Sequence, residues 1–350
     1  MLHGAPSNRH HGTSALRTSS TPRLKDIADK TGFSTNTVSL ALRESPRIPA
    51  ETRDVIRRAA AELNYQPNHV ARSLVSRETK TIGLVLTDIM NPTLTETAQQ
   101  VELALAERGY GTLFATSNHS VDQERRLVEM FRSRRVDGLL IYPAVHHQLD
   151  HLKSLRKHFP VVLLIGGQDV GIDVVSVDDR SGGYRAVKHL IDLGHKRIGL
   201  LNPWSQGSNS EKYEGYQRAL AEAGIPFDPS LVVATNGHYA THGYYALDHL
   251  MSIKNPPTAL FSHNDSLAFG ALRWCHRNGK RVPQDLAIMG YDNIEFTEFA
   301  EPPISTMNYA VDVVSRTAVD RLMRLIAAGN EPPEPRITLI DPELVVRGST

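Results

Sequence analysis

The chain has 350 residues, 40% of them apolar, which is enough for two or three domains with buried cores and excludes a disordered or fibrous protein. Its charges nearly cancel overall, 39 Lys and Arg against 38 Asp and Glu, but residues 1–80 carry 13 against 7 and residues 81–350 carry 26 against 31. A lone cysteine, Cys275, rules out an intrachain disulfide and is expected to serve packing in a reducing compartment.

Residues 1–21 are rich in Ser, Thr, Gly and His, with Arg9 and Arg17 as their only full charges, and are expected to form a disordered tail. They hold no apolar core of a secretory signal, and His10-His11 lacks the second ligand pair that a metal would need. The longest apolar stretches, such as 159–165, fall far short of the ~18 residues of a membrane span, so a cytoplasmic protein with no membrane partner is expected.

Residues 22–66 read as a small helical domain. Leu24, Ile27 and Ala28 share one face of a first helix that Thr31-Gly32-Phe33 breaks. Ser34 is a natural cap for a second helix with Val38, Ala41 and Leu42 inside and Thr35, Asn36, Ser39 and Leu40 outside. A third helix ends near Leu63; Val55, Ile56, Ala59, Ala60 and Leu63 are expected to be buried, and Arg53, Arg57 and Arg58 lie on its polar face. Two short helices joined by a tight Gly-containing turn describe a helix-turn-helix: Ala28 is small enough for the second helix to cross, and Val38 locks the pair. The pattern also occurs in ordinary helical bundles.

Pro67 breaks the third helix, and the capped two-turn segment Asn68 to Val75 is too short to be stable alone in water, so residues 67–80 read as a hinge helix and linker that needs a partner or a surface. From 81 to 350 short apolar strands alternate with amphipathic helices. Strands are expected at 82–87, 111–116, 138–143, 161–165 and 174–177, then at 197–202, 231–235, 259–262 and 286–291. Helices are expected at 95–108, 123–134, 183–193, 213–223 and 266–278. This alternation predicts two doubly wound parallel-sheet lobes with a ligand cleft between them.

The segments LKDIADKTGFSTNTVSLAL, AELNYQPNHVARSL, TIGLVLTDIMNP, RRVDGLLI, HLIDLGHKRIGLL, NDSLAFGALR and VPQDLAIMGYDN, in this order from Arg23 to Gly348, resemble the LacI/GalR (lactose-repressor) family of bacterial transcription regulators. The resemblance implies a helix-turn-helix head on a periplasmic-binding-protein-like (type I) core, acting as a homodimeric repressor of palindromic operator DNA under a small-molecule effector, with no cofactor. By position, Thr35, Asn36 and Leu40 would meet bases, Thr37 and Ser39 phosphates, with Arg47 nearby. Leu40 departs from the hydrogen-bonding residue usual in the family; an isobutyl group cannot read guanine and can only contact a thymine methyl. In the hinge, Leu74 matches the family's intercalating leucine, with Ala71 beside it and Asn68 at the cap.

For the cleft the resemblance implies Asp292 and Asn264 as polar effector contacts, Thr93 and Leu94 where two aromatics are common, and Lys212 where arginine is usual. Gln206, Ser208 and His238 align with further pocket positions. Ile165-Gly166-Gly167 replaces an acidic residue, and Tyr309-Ala310 replaces the Gln-Pro of the last crossover. Carboxylate plus amide suits sugar hydroxyls or a heterocycle, and a sugar is the expected effector.

Doubly wound cores also serve two other functions. An enzyme would need a catalytic constellation, yet phosphate-loop, zinc-protease and nucleophile-elbow motifs are absent from the sequence, His146, His147 and His151 read as solvated, and Asp178-Asp179 point different ways. A transported-sugar receptor would replace the basic head by an export signal and would ignore duplex DNA. No leucine heptad occurs in residues 342–350, so no tetramerising tail is expected.

Overall fold

The computed structural model describes residues 22–66, 78–145, 148–165, 171–203, 211–329, 331 and 333–350. The chain divides into two units, residues 1–77 and 78–350.

Three helices make the first unit. α1 (Leu24–Thr31) stops where Gly32 takes φ 73° and returns its N–H to the Ala28 carbonyl, the left-handed cap that suits glycine. Ser34 opens α2 (Thr35–Leu42) by accepting the Thr37 N–H at 3.1 Å, and α3 (Ala50–Glu62) closes the unit. Ile27, Ala28, Val38, Ala41, Ile56, Ala59 and Ala60 form its core. Val55 departs from expectation: it is 41% exposed, at the margin of the stripe set by Ile56, Ala59 and Ala60, and Leu63 is only half-buried.

In the second unit the backbone N–H groups of Thr79 and Lys80 both donate to the Asp137 carboxylate at 2.8 Å, pinning the chain where it enters the first lobe. Lobe 1 starts with β1 (Thr81–Leu86), α4 (Pro92–Ala106), β2 (Gly111–Thr116), α5 (Val121–Ser133), β3 (Gly138–Ile141), α6 (Asp150–Arg156), β4 (Val161–Leu163) and β5 (Asp173–Val177). Lobe 2 holds α7 (Asp179–Asp192), β6 (Ile198–Asn202), α8 (Glu211–Glu222), β7 (Val232–Ala234), α9 (Ala240–Ser252), β8 (Ala259–Ser262), α10 (Asp265–Arg277) and β9 (Ala287–Met289). Its sheet, in the order β7-β6-β8-β9, is parallel throughout. Strands such as β1, β3, β5 and β6 are buried on both faces, which is why they read as unbroken apolar runs.

The last 45 residues hold elements that the alternation had not revealed. β10 (Thr306–Asn308) leads through α11 (Val311–Ala328) to β11 (Ile337–Ile340), which joins lobe 1 beside β5, and β12 (Glu343–Val345) returns to pair antiparallel with β10. The sheet of lobe 1 is therefore β11-β5-β4-β3-β1-β2, and the lobes are interleaved rather than consecutive. At the joint Ala310 takes φ 49°, with its N–H held by the Asn308 side chain at 3.1 Å, in place of a rigid proline. α4 and α11 on lobe 1 and α7 and α8 on lobe 2 share one continuous apolar cluster.

A buried carboxylate ties the late elements to the early ones. Asp173 of β5, wholly inaccessible, accepts from Arg156 of α6 at 3.2 Å, from Arg321 of α11, and from the Arg336 N–H at 3.1 Å. His151 corrects an expectation: it is not solvated but half-buried, bonded through Nε2 at 2.8 Å to Glu124, whose other oxygen accepts the Ala144 N–H. His146 and His147 lie outside the described residues. Cys275 is buried and its thiol is pushed up to about 12 by that burial, a packing residue.

Candidate DNA interface and effector cleft

The helix-turn-helix places Thr35 and Asn36 exposed on the first turn of α2, with Thr37, Ser39 and Leu40 half-buried beside them and Arg47 exposed beyond its end. Two hydroxyls are already engaged: Thr37 with Ser34 at 2.9 Å, and Ser39 with the Arg43 guanidinium. The α3 arginines are less free than their polar face suggested. Arg57 bridges Glu44 at 2.8 Å and Asp54 at 3.4 Å, and Arg53 donates to the Glu44 carbonyl at 3.3 Å. Such exposed pairs are weak, so phosphates can compete for these side chains. Asn68, Ala71 and Leu74 lie outside the described residues.

The cleft is built from the carboxyl ends of parallel strands, where a doubly wound sheet opens a crevice. Lobe 1 supplies Asp88 after β1, Thr93 in the first turn of α4, His119 after β2 and Tyr142 after β3. Lobe 2 supplies Asp179 from α7, Glu211 and Lys212 from α8, His238 and Tyr239 before α9, His263 after β8, and Tyr291 and Asp292 after β9. At the centre Lys212 is 4% exposed. Its ammonium donates to the His263 carbonyl at 3.1 Å, stands 3.8 Å from Asp179 and 3.9 Å from Asp292, and lies 3.7 Å above the Tyr291 ring. Gly183 permits this approach, because a Cβ there would collide with the Lys212 backbone. Thr93 Oγ1 donates to Asp292 Oδ2 at 2.9 Å, and Tyr239 donates to Asp88, so two hydrogen bonds cross from lobe to lobe.

Carboxylates outnumber cations here, and burial shows in their acidity. Burial raises Asp292 to about 6 although Lys212 opposes the shift, and burial with the Asp179 charge raises Glu211 to about 7. His238 is pushed down to about 4 by burial, with His119 and Lys212 adding to the effect and Asp88 opposing it.

Of the residues singled out by sequence, Thr93, Lys212 and Asp292 meet directly and His238 lies beside them. Two change role. Asn264 spends its amide locally, Oδ1 capping α10 on the Leu267 N–H at 2.9 Å and Nδ2 donating to the His238 carbonyl at 3.1 Å, so it positions His238. Leu94, 5% exposed, is packed into the apolar cluster. Gln206, Ser208, Gly166 and Gly167 lie outside the described residues. Sequence reasoning missed Asp88, His119, Tyr142, Glu211, Tyr239 and His263, and it set Asp179 aside because it and Asp178 point different ways. Tyr142 and His263 directly follow a strand, and Asp88, His119 and Asp179 come within three residues of a strand end, the one signal that could have found them. Among the described residues no group of three or more His, Cys, Asp or Glu side chains is arranged to hold a metal ion, and no helix is long and apolar enough to cross a membrane.

Comparison with known proteins agrees with this architecture. The profile of bacterial regulatory proteins of the lacI family matches residues 23–68, and that of the periplasmic binding protein-like domain matches residues 187–350. The HTH-type transcriptional repressor PurR of Pasteurella multocida is 34% identical over 331 residues, 93% of this chain and 98% of its own. The HTH-type transcriptional repressor CytR of Escherichia coli is 31% identical over 330 residues, 93% of this chain and 96% of its own. A lac repressor dimer bound to operator and the anti-inducer ONPF matches with a TM-score of 0.85 at 25% identity, over 94% of this chain and 99% of that one. The complex of the transcriptional regulator CelR with cellobiose matches with a TM-score of 0.69 at 29% identity, over 94% of this chain and 100% of that one.

Proposed function

The chain belongs to the LacI family of DNA-binding transcriptional repressors, and from that premise we propose that its operator affinity is set by a small molecule, a sugar or sugar derivative, bound between the two lobes. The observation that carries this reading is the buried Lys212–Asp292 pair, bonded across the lobe boundary to Thr93. Donors and acceptors buried at such a boundary change in free energy as the lobes separate, so a ligand that takes over their bonds binds one spacing more tightly than another. The cellobiose complex of CelR supports a small-molecule ligand for this chain too.

On DNA the repressor acts as a homodimer on a palindromic operator, a reading supported by the operator-bound lac repressor dimer. Asn36 bonds a base edge in the major groove, Thr35 and Leu40 contact neighbouring bases, and Thr37, Ser39 and Arg47 hold phosphates. In the hinge Asn68 caps, Ala71 packs and Leu74 wedges into a minor-groove step. Lobe closure pulls on the chain anchored at Thr79 and Lys80 and biases the hinge, and 1–3 kcal/mol of coupling is enough for a switch. Its DNA target puts the protein in the cytoplasm.

The test is a thermal-shift screen of small molecules followed by operator titration with each hit. A hit should change operator affinity by about 5- to 150-fold and lose its effect in Asp292→Ala. Leu74→Ala should weaken operator binding at least tenfold while leaving random-DNA binding nearly unchanged. Equal loss on both DNAs, or hits that never alter operator affinity, would reject this mechanism.

A further inference from the structure

Residues 81–350 carry more acids than bases, 31 against 26, yet one end of lobe 1 runs against that balance. It is the end at which the parallel strands begin, opposite the effector cleft, and the chain from the head enters there through Thr79 and Lys80. β3 and β4 are neighbours, with Leu139 beside Val161 and the Leu139 N–H on the Pro160 carbonyl at 2.9 Å, so the segments that lead into them enter the sheet side by side. The first brings Arg134 and Arg135 and the second brings Lys157, all three exposed. Arg135 stands at the anchor itself, since its carbonyl accepts the Thr79 hydroxyl at 2.9 Å.

These cations are unspent. Arg132, Lys153 and Arg156 nearby pair with Glu129, Asp150 and Asp173, whereas Arg134, Arg135 and Lys157 meet no carboxylate among the described residues. Asp137 is occupied by the Thr79 and Lys80 amides, and Glu78 pairs with Lys80 at 2.8 Å. Glu331 and Glu334 are exposed but precede β11, two strands beyond β4. Helix ends account for part of the positive charge at this edge, because a C-terminus favours cations. For that purpose α5 already has Arg132 in its last turn and α6 has Lys153 and Arg156, so the other three are surplus. Arg135 also takes φ 57° just past the end of α5, where glycine is the residue of least strain, and a long cation stands there instead.

We propose that Arg134, Arg135 and Lys157 form a second DNA contact, a phosphate-binding edge on the core that grips duplex flanking the operator. It is additional to the contacts of the head and the hinge. Its proximity to DNA follows from chain length alone. Residues 67–77, even fully extended, span no more than about 40 Å, so about 12 base pairs of DNA beyond the head lie within reach of this edge, whatever the placement of the two units. Tethering keeps the local concentration of that DNA high, and a few phosphate contacts then add affinity without adding sequence information. A protein partner would need an apolar anchor, and among the described residues none of the exposed large apolar side chains belongs to segments 132–137 or 153–161.

The test measures binding of the full-length protein to its operator in two duplexes, one ending about 3 and the other about 20 base pairs beyond the site, from 50 to 200 mM salt. The variant Arg134→Ala, Arg135→Ala, Lys157→Ala removes only exposed, unpaired side chains and keeps the core intact. On the long duplex it should bind about tenfold more weakly and lose about 1.8 or more of the log-log salt slope, at least one contact on each protomer. On the short duplex it should match the wild type. Arg134→Lys with Arg135→Lys should keep the wild-type slope, because a phosphate answers to charge. An unchanged slope on the long duplex overturns the proposal. So does an equal loss on both duplexes, which would move these side chains into the operator contacts themselves, and so does a loss in the lysine variant as large as in the alanine one.

Discussion

At the scale of single residues, two side chains carry sharp consequences. Leu40 sits half-buried on α2 where a hydrogen-bonding residue would read a base, so Leu40→Arg should change the preferred base at one half-site position, a discrimination of about 1–3 kcal/mol. Binding-site selection checks this, and an unchanged preference would show that the position is silent. Glu211 titrates near 7 because burial, and then Asp179, disfavour its anion. Folding therefore bears no cost from it below the ordinary glutamate range, and the cost grows as pH rises through about 7. Glu211→Gln should lose less stability than the wild type between pH 5 and 8, a gap of about 1–3 °C in a pair of thermal melts. Asp292 was legible in the sequence because it sits inside a long motif, and Lys212 because it stands where the resemblance places an arginine. His119 was not, since one histidine after a strand looks like any surface residue until its partner, 119 positions on, is brought against it. Asn264 was legible as polar and conspicuous, yet helix capping and ligand binding ask for the same side chain, and only geometry separates them.

At the scale of elements, β8, buried on both faces, falls on the expected residues, and so does β2 at the half-exposed edge of its sheet. α9 escaped because its inner face opens on Gly243, which lets α10 pack but adds nothing to an apolar period. β10 and β12 escaped because three residues are too few to show any period. The crossing of α7 and α8 depends on similar contacts: a Cβ at Gly215 would strike the Arg180 carbonyl and the Tyr184 amide of α7. Gly215→Ala should push α8 away from α7 and lower stability by about 1–3 kcal/mol, overpacking outweighing the gain in helix propensity. It should also weaken effector binding, because Lys212 rides on α8. Chemical denaturation measures the first effect and ligand titration the second, and a variant as stable as the wild type would mean that the helices can slide apart freely.

At the scale of the whole molecule, the net positive charge of residues 1–80 favours phosphate and the net negative charge of residues 81–350 does not. Arg47→Ala should therefore reduce the log-log salt slope of operator binding by about 0.9, with sequence preference unchanged, in titrations from 50 to 200 mM salt. An unaltered slope would remove Arg47 from the phosphate contacts. The interleaving of the lobes was not legible, because nothing local in 337–340 says that those residues lie beside β5. That topology orders events in time. A chain emerging from the ribosome has β1 to β5 early but lacks the sixth strand, and Asp173 has no Arg321 beside it until nearly the whole polypeptide has been made. Lobe 2, whose four strands all lie between residues 198 and 289, can close first, and the lobe that begins synthesis is completed last.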